Sequence, residues 1–164
     1  MALWSRTRAG LFKASQPDEA HFQLLKAAHM SAEQTNSVVM RFYDCALRSD
    51  VAAIAEILHP EVVVHEAASL PFGGAHTGRA AALKLLGILF SGIDLDSVVR
   101  GDVLVRGERA AAFLEIPFLT ADPANAQAMP IVETFIVRDG LITEIRPYYF
   151  DTAAIAAQLT GAKA

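Results

Sequence analysis

The sequence predicts an α+β domain in which about three helices and a strongly curved, mostly antiparallel sheet form a conical barrel. Two observations support this prediction. Helical periodicity dominates the first half of the domain, and four strand-like segments then follow as two hairpins. Helices that are segregated from antiparallel strands are typical of α+β domains. Helices on one face of a curved sheet leave a hollow open at one end, which is a common kind of small-molecule site.

Length and composition predict a single globular domain and restrict its partners. The 164 residues are 53% apolar and 20% charged, which suits one packed core. The chain has 14 Lys and Arg residues, 18 Asp and Glu residues and no basic run. This charge balance argues against nucleic acid as a partner. No apolar run reaches membrane-spanning length, so we expect no membrane partner.

The cysteine and histidine content restricts the chemistry further. The lone Cys45 excludes an intramolecular disulfide and fits a reducing compartment, so we expect a cytoplasmic protein. No group of His, Cys and carboxylate residues has metal-ligand spacing. We therefore expect no metal and no cofactor, and we expect a hydrophobic small molecule as the ligand.

The domain is predicted to cover residues 31–164, after an N-terminal extension over residues 1–30 that is partly helical or flexible. Within the extension, Pro17 precedes acidic residues that suit a helix start. The extension could be an upstream addition, a partner-contacting arm or the result of a mis-set start. A loosely attached tail is favoured because chain termini are usually poorly tied down.

Helices are predicted where apolar residues recur at helical spacing. They cover residues 31–48, the turns between Asp50 and Pro60, the span from Thr77 to Phe90, and residues 152–159. Ser31, Asp50, Thr77 and Asp151 are each placed to cap a first turn, and Ser31 forms a capping-box pattern with Gln34. Proline ends the second helix because the residue before it is disfavoured in helical conformation.

Strands are predicted where apolar residues alternate. The predicted strands are residues 61–66, 97–106, 109–119, 131–137 and 141–150. Gly107-Glu108 and Asp139-Gly140 suit the tight turns of hairpins. Residues 67–78 contain Pro71 and paired glycines, so we expect a loop without regular structure that borders a pocket mouth. Residues 121–129 are predicted to be a polar connection between two strands.

Two carboxylates are predicted among apolar neighbours on strands. Glu133 shares a strand face with Phe135, and Glu66 ends the inward apolar row of the first strand. A buried carboxylate is costly unless it is paired, hydrogen-bonded or protonated. Two interpretations of Glu133 therefore remain: a functional acid in a polar cavity, or a structural carboxylate bonded to a neighbouring Arg or Tyr.

Other polar and aromatic residues have competing interpretations. His65 faces away from Glu66 and is more typical of a sheet surface than of a base. His76 either reaches a ligand or contacts water. Glu115 either lines the cavity or pairs with Arg109, Arg138 or Arg146 across strands, and pairing is favoured. Tyr148 and Tyr149 are predicted to be interface or cavity-rim aromatics rather than acids.

The outer face of the sheet predicts a homodimer. Val132, Thr134 and Ile136 alternate with the inward residues, so the outer face is nearly as apolar as the inner one. An exposed face of this kind favours burial against a second copy of the chain.

Three segments resemble the NTF2-like superfamily and, within it, the SnoaL-like polyketide cyclases and ketosteroid isomerases. They are RSDVAAIAEILHPEVVVHEA, LPFGGAHTGRAA and VETFIVRDGLITEIRPYYFD, and the resemblance covers residues 31–159. It implies a cystatin/NTF2-like fold. That fold hosts isomerases, cyclases, dehydratases, epoxide hydrolases and non-catalytic binding modules, so fold alone does not select the activity.

The resemblance also implies roles for individual residues. The general base of the isomerases falls on Glu66, and the protonated acid of their oxyanion hole falls on Glu133, where the cyclases place an acid/base carboxylate. The tyrosine that completes the oxyanion hole falls on Phe42, so the chain departs from the isomerase pattern there. Tyr43 is adjacent, but one helical position turns a side chain by about a hundred degrees.

Two functions are predicted from these features. In the first, a cofactor-free isomerase or aldol-type cyclase moves a proton next to a carbonyl of a hydrophobic cyclic substrate, with Glu66 as base and neutral Glu133 as donor. In the second, the domain is a non-catalytic ligand-binding or dimerisation module. They differ in whether the two carboxylates share one solvent-connected pocket. The expected substrate-binding residues are Phe42, Tyr43, Phe72, His76, Phe113, Glu115, Phe135 and Tyr148.

Overall fold

The computed structural model of the chain describes residues 30–119 and 128–161. The helix start predicted at Pro17 and nearly all of the proposed extension lie outside the described residues. The same holds for most of the polar connection predicted over residues 121–129.

The described ranges contain four α-helices and six strands. The helices are α1 (Ala32–Ala46), α2 (Val51–Ile57), α3 (Arg79–Ser91) and α4 (Thr152–Gly161), and a 3-10 turn covers Leu95–Ser97. The strands are β1 (Leu58–Glu66), β2 (Gly74–Thr77), β3 (Val99–Arg106), β4 (Arg109–Pro117), β5 (Ala128–Arg138) and β6 (Leu141–Tyr149).

The six strands form one sheet in the order β2-β1-β6-β5-β4-β3. All neighbours are antiparallel except β1 and β6, which run parallel, so the sheet is mixed. It is curved and unclosed, with β2 and β3 at its edges. The predicted α+β class with a mostly antiparallel sheet is confirmed.

Local signals in the sequence correspond to the observed turns and helix starts. Asp139 and Gly140 both have positive φ values, 51° and 79°, which is the backbone twist of a type I′ hairpin turn. Ser31 and Gln34 form the predicted capping box, with bonds of 3.1 and 2.9 Å. Asp50 and Asp151 accept backbone hydrogen bonds from the first turns of α2 and α4.

Part of residues 67–78 forms a strand, which corrects the prediction of a loop without regular structure. β2 pairs antiparallel with the end of β1, in a register that places Gly74 opposite Glu66. The two glycines allow the chain to turn back and pair with β1. A Cβ on Gly73 would lie 2.3 Å from the Ala67 carbonyl oxygen, and Gly74 has a φ of 114°. Because Thr77 belongs to β2, the residue before α3 is Gly78, which provides no side-chain cap.

The inner face of the sheet is the face that α1 covers. Along β1 the inner residues Val62 and Val64 are buried, as the alternation predicts. Phe42 and Tyr43 of α1 pack edge-to-face against Phe135 of β5, with ring centroids 5.6 and 5.7 Å away. This aromatic cluster fills the space between α1 and the centre of the sheet. Within the described ranges, none of the helices is long and apolar enough to cross a bilayer.

Candidate functional site

Glu66 and Glu133 lie on the inner face of the sheet on either side of β6. Glu133 is opposite Pro147 in the pairing of β5 with β6. Val64 is opposite Ile145 in the pairing of β1 with β6, so Glu66, two residues further on, reaches the level of Pro147 from the other side. Two strand spacings separate their backbones by about 10 Å. The inner face therefore brings together two carboxylates that are 67 positions apart in the chain.

Each carboxylate accepts a hydrogen bond from a tyrosine. The Tyr149 hydroxyl donates to Oε2 of Glu66 and the Tyr43 hydroxyl donates to Oε2 of Glu133, both at 2.6 Å. Bonds this short are typical of a hydroxyl that donates to a carboxylate. The partner of Glu133 is thus a tyrosine, as one of the alternatives allowed. Arg146 instead pairs with another glutamate, at 3.2 Å.

Burial controls the protonation of Glu66. Desolvation raises the pKa of the Glu66 carboxyl to about 7 from an ordinary 4.5, although the hydrogen bond from Tyr149 lowers it, and the charge of Glu133 raises it further. A carboxyl with this pKa populates both protonation states near neutral pH. That property suits a general base, which must be ionised and still hold a proton well.

Burial also raises the pKa of Glu133, and the hydrogen bond from Tyr43 opposes that rise. The pKa values of Tyr43 and Tyr149 are raised by burial and by their carboxylate partners. Both tyrosines therefore remain protonated and act as hydrogen-bond donors. The positive charge of Arg100 on β3 opposes this rise and lowers the pKa of Tyr43. Arg100 also pairs with Asp44 at 3.1 Å.

Two residues in this part of the inner face are only partly buried. Glu133 and Tyr149 point to the inner face, yet both retain some solvent-accessible surface. Next to Glu133 on β4 stands Ala112, whose small side chain is fully buried.

The orientation of Tyr43 corrects an expectation from the sequence. Its ring was predicted to point away from the direction of Phe42, yet both residues are buried, with ring centroids 5.5 Å apart. Adjacent side chains of a helix point about a hundred degrees apart, so both can be buried when the sheet covers the helix surface midway between them. As a result, the Tyr43 hydroxyl reaches the carboxylate of Glu133.

Phe72 and His76 lie near the end of β1 that carries Glu66. His76 of β2 is opposite Val64, so its side chain is on the inner face, two residue pairs away from Glu66. Its Nε2 is 2.8 Å from the Phe72 carbonyl oxygen, and Phe72 packs against the core. Their assignment as substrate-binding residues stays a prediction.

Phe113, Glu115 and Tyr148 lie on the outer face, away from the two carboxylates, which corrects their assignment to the same cavity. Phe113 and Tyr148 flank Val132 in register, and alternation along β5 places Val132 opposite in direction to Glu133. Glu115 is exposed, and none of the described residues forms the predicted ion pair with it. His65 is also on the outer face, as predicted.

Tyr149 is the site residue that sequence reasoning missed. The sequence grouped it with Tyr148 as a rim or interface aromatic. Adjacent strand residues point to opposite faces, so one of the two had to face inward. The pairing of Tyr149 with the inner residue Ile131 identifies which one. Among the described residues, no group of three or more His, Cys, Asp or Glu side chains is arranged to hold a metal ion.

Replacing Tyr149 with Phe is expected to raise the pKa of Glu66 above about 7, because the hydroxyl hydrogen bond is the contribution that lowers it. Carbon-13 NMR titration of the glutamate carboxyls measures this shift. Tyr148→Phe is the matched control, since it removes a hydroxyl from the outer face and should leave the Glu66 titration unchanged. A Glu66 pKa that is unchanged or lower in Tyr149→Phe contradicts the assignment.

Solved structures of other proteins share the fold of this chain. The chain matches an NTF2-like protein from Burkholderia xenovorans with a TM-score of 0.68 and 21% identity, over 79% of this chain and 98% of that one. It matches a candidate ketosteroid isomerase from Kribbella flavida with a TM-score of 0.60 and 21% identity, over 75% and 82%. TerC, which was co-crystallised with polyporic acid, matches with a TM-score of 0.66 and 17% identity, over 77% and 98%. At these identities the likeness is one of fold.

A comparison with curated proteins found no match. The family model of the SnoaL-like domain matches residues 39–145, a span that contains Tyr43, Glu66 and Glu133. This match covers most of the chain and agrees with the fold of the solved structures. The chain therefore belongs to the family of SnoaL-like domains, within the NTF2-like fold.

Proposed function

We propose that the protein is a cofactor-free isomerase or aldol-type cyclase that moves a proton next to a carbonyl of a hydrophobic cyclic substrate. The observation that carries this proposal is the pair of buried carboxylates on one sheet face, each with a raised pKa and a tyrosine donor. Paired titratable groups in different environments are typical of acid–base sites. One structural neighbour is described as a candidate ketosteroid isomerase, which supports this class of reaction.

Glu66 is the general base in this proposal. Its carboxylate removes a proton from the carbon next to the carbonyl, and the C–H electron pair forms the C=C bond of an enolate. In an isomerase, protonated Glu66 returns the proton to another carbon. In an aldol-type cyclase, the enolate carbon attacks a second carbonyl, whose oxygen takes the proton from Glu66. A pKa of about 7 suits both directions of transfer near neutral pH.

Glu133 and Tyr43 stabilise the enolate oxygen. When Glu133 is protonated, its O–H can donate to the oxygen on which negative charge develops. The Tyr43 hydroxyl binds Oε2 of Glu133 and fixes the orientation of the carboxyl group. The charge of Glu133 raises the pKa of Glu66, and because this repulsion is mutual, a state in which only one of the two carboxyls is ionised is favoured.

Proton exchange in deuterated water tests this function. Native protein is expected to speed the exchange of α-protons in at least one of a panel of cyclic ketones, followed by proton NMR. Glu66→Gln is expected to slow the exchange by about 10²–10⁴-fold, the usual contribution of a general base. His65→Gln changes the preceding residue on the opposite face and should leave the rate unchanged. Equal rates for Glu66→Gln and native protein exclude the proposed base.

A non-catalytic binding module is the second candidate function. The observation that favours it is that the tyrosines already satisfy both carboxylates, as expected in a site that only stabilises a fold or holds a ligand. Binding of a cyclic ketone without any acceleration of proton exchange, in native protein, supports this alternative over the enzymatic one.

We also propose that the protein is a cytoplasmic homodimer that associates through the outer face of the sheet. Large apolar residues are exposed there, and we define the apolar patch as Val99, Phe113, Val132, Tyr148 and Phe150. These residues line a hollow of about 370 Å³. An apolar surface of this kind is typical of an interface, and a two-fold axis would cover it with the same surface of a second copy.

Light scattering at micromolar concentration is expected to give the mass of a dimer. Phe113→Asp places a charge in the apolar patch and is expected to give a monomer, because an unpaired carboxylate is costly to bury. Val51→Asp is the matched control, because Val51 is an exposed apolar residue on α2, away from the sheet. A monomeric native protein contradicts the proposal.

A further inference from the structure

The outer face contains a second hollow, of about 610 Å³, at the level of the two hairpin turns. We call it the arginine hollow, because the side chains of Arg106, Arg109 and Arg146 line it. Its remaining side chains are mostly apolar. Those that point to the outer face are Leu104, Ala111, Thr134, Ile136, Glu144 and Tyr148. The hollow lies on the opposite side of the sheet from Glu66 and Glu133.

The arginines of this hollow are only partly neutralised by carboxylates. Arg106 and Arg109 are directly opposite each other in the pairing of β3 with β4, and like charges in that position destabilise a sheet. Neither has a carboxylate partner in the described parts of the chain. Arg146 pairs with Glu144 at 3.2 Å. Three guanidinium groups thus share one lining carboxylate.

Nearby carboxylates are engaged elsewhere. Glu108, in the turn between β3 and β4, is 3.8 Å from Arg138, outside the hollow. Glu144 is also 4.0 Å from the Nε2 atom of His65. The hollow therefore has a local excess of positive charge, although the whole chain has a formal net charge of −4. The arginines would attract an anion only at short range, because the net negative charge of the whole protein repels anions at longer range.

We propose that the arginine hollow binds a small organic anion, with a carboxylate or phosphate head on the arginines and an apolar body against Leu104 and Ile136. Guanidinium groups match carboxylate and phosphate oxygens in a bidentate geometry. An anion between Arg106 and Arg109 also offsets the repulsion of these opposed charges. The volume is in the range of ordinary small-molecule sites, and the lining combines apolar surface with a few polar groups.

Isothermal titration calorimetry on the full chain tests this proposal with three probes of one ring system. They are 1-naphthyl phosphate, 1-naphthoate and the uncharged 1-naphthalenemethanol. At least one anion is expected to bind, and the uncharged probe to bind at least tenfold more weakly, because charged hydrogen bonds contribute about a factor of ten or more each. The preferred head group, phosphate or carboxylate, identifies the class of ligand. Raised salt should weaken anion binding.

Arg106→Gln and Arg109→Gln are each expected to weaken anion binding by about tenfold. Arg41→Gln is the matched control, because it removes the same charge from an exposed arginine on α1 and should leave the affinity unchanged. Glu66→Gln should also leave it unchanged, which separates this hollow from the proposed active site.

Several results would overturn the proposal. They are absence of anion binding to native protein, equal affinity for the uncharged probe, and equal losses in Arg41→Gln and the hollow variants. A further one is a shift from dimer to monomer in the hollow variants without a loss of anion binding. That last result would assign the arginines to carboxylates of a second copy of the chain instead.

Discussion

Glu66→Gln is expected to make the protein about 3 kcal/mol more stable than the native chain at pH 8, and to have little effect on stability at pH 4. The folded-state pKa of Glu66 is about 7, against an ordinary value of 4.5. Each unit of difference corresponds to about 1.4 kcal/mol, so the raised pKa is equivalent to about 3 kcal/mol. Glutamine keeps the oxygen that accepts from Tyr149 and cannot ionise.

The sign follows from which state binds the proton more tightly. Because the folded-state pKa is raised, the proton on Glu66 favours the folded state. Its contribution to the free energy of unfolding is fully present below about pH 4.5 and is lost as pH rises through about 7. The native chain should therefore lose stability across this window, and Glu66→Gln should lose much less.

Urea unfolding at pH 4, 6 and 8 measures this difference. Glu61→Gln is the matched control, since Glu61 is an exposed carboxylate on the same strand, and its effect should stay within about 0.5 kcal/mol at each pH. A Glu66→Gln protein that is less stable than the native chain at pH 8 would show that the ionised carboxylate stabilises the fold. In that case the raised pKa, and with it the proposed base, is wrong.

The sequence predicted the elements that depend on local chemistry and missed those that depend on distant partners. The capping box at Ser31 and the turn at Asp139-Gly140 are set by neighbours a few residues away, and the structure confirms both. β2 is a four-residue edge strand, and the chain before it requires a close backbone approach at Gly73 and a positive φ at Gly74. Alternation over so short a segment does not distinguish it from a loop.

The candidate site was predicted in part for a similar reason. Alternation along β1 and β5 places Glu66 and Glu133 in rows with buried residues, and the structure confirms that both share the inner face. The alternation of apolar and polar residues along a strand shows which residues share a face of the sheet, but it does not show which face the helices cover. Phe113 and Glu115 were therefore assigned to the wrong face. Tyr43 depends on the rotation of α1 against the sheet, which the packing of aromatic rings determines and helical spacing does not.

Glu133→Gln is expected to leave stability at pH 7 unchanged or improved while slowing proton exchange on a cyclic ketone by about 10²–10³-fold, the usual cost of losing an oxyanion donor. Burial raises the pKa of Glu133, so its proton favours folding at low pH, and this advantage is lost as pH rises above 4.5 toward the raised value. Glutamine cannot ionise and keeps an acceptor for Tyr43. An amide is, however, a weaker donor than a neutral carboxylic acid.

Tyr43→Phe separates the catalytic role of Glu133 from a structural one. It removes the hydrogen bond that lowers the pKa of Glu133, so the carboxyl should stay neutral to higher pH while keeping its own donor. If Glu133 donates to the enolate, exchange in Tyr43→Phe should persist to higher pH than in the native chain, at a rate above that of Glu133→Gln. If Glu133 only supports the fold, urea unfolding should show Glu133→Gln to be strongly destabilised at pH 7. Any loss of exchange rate would then be proportional to the fraction of unfolded protein, and the proposed role of Glu133 as oxyanion donor would be wrong.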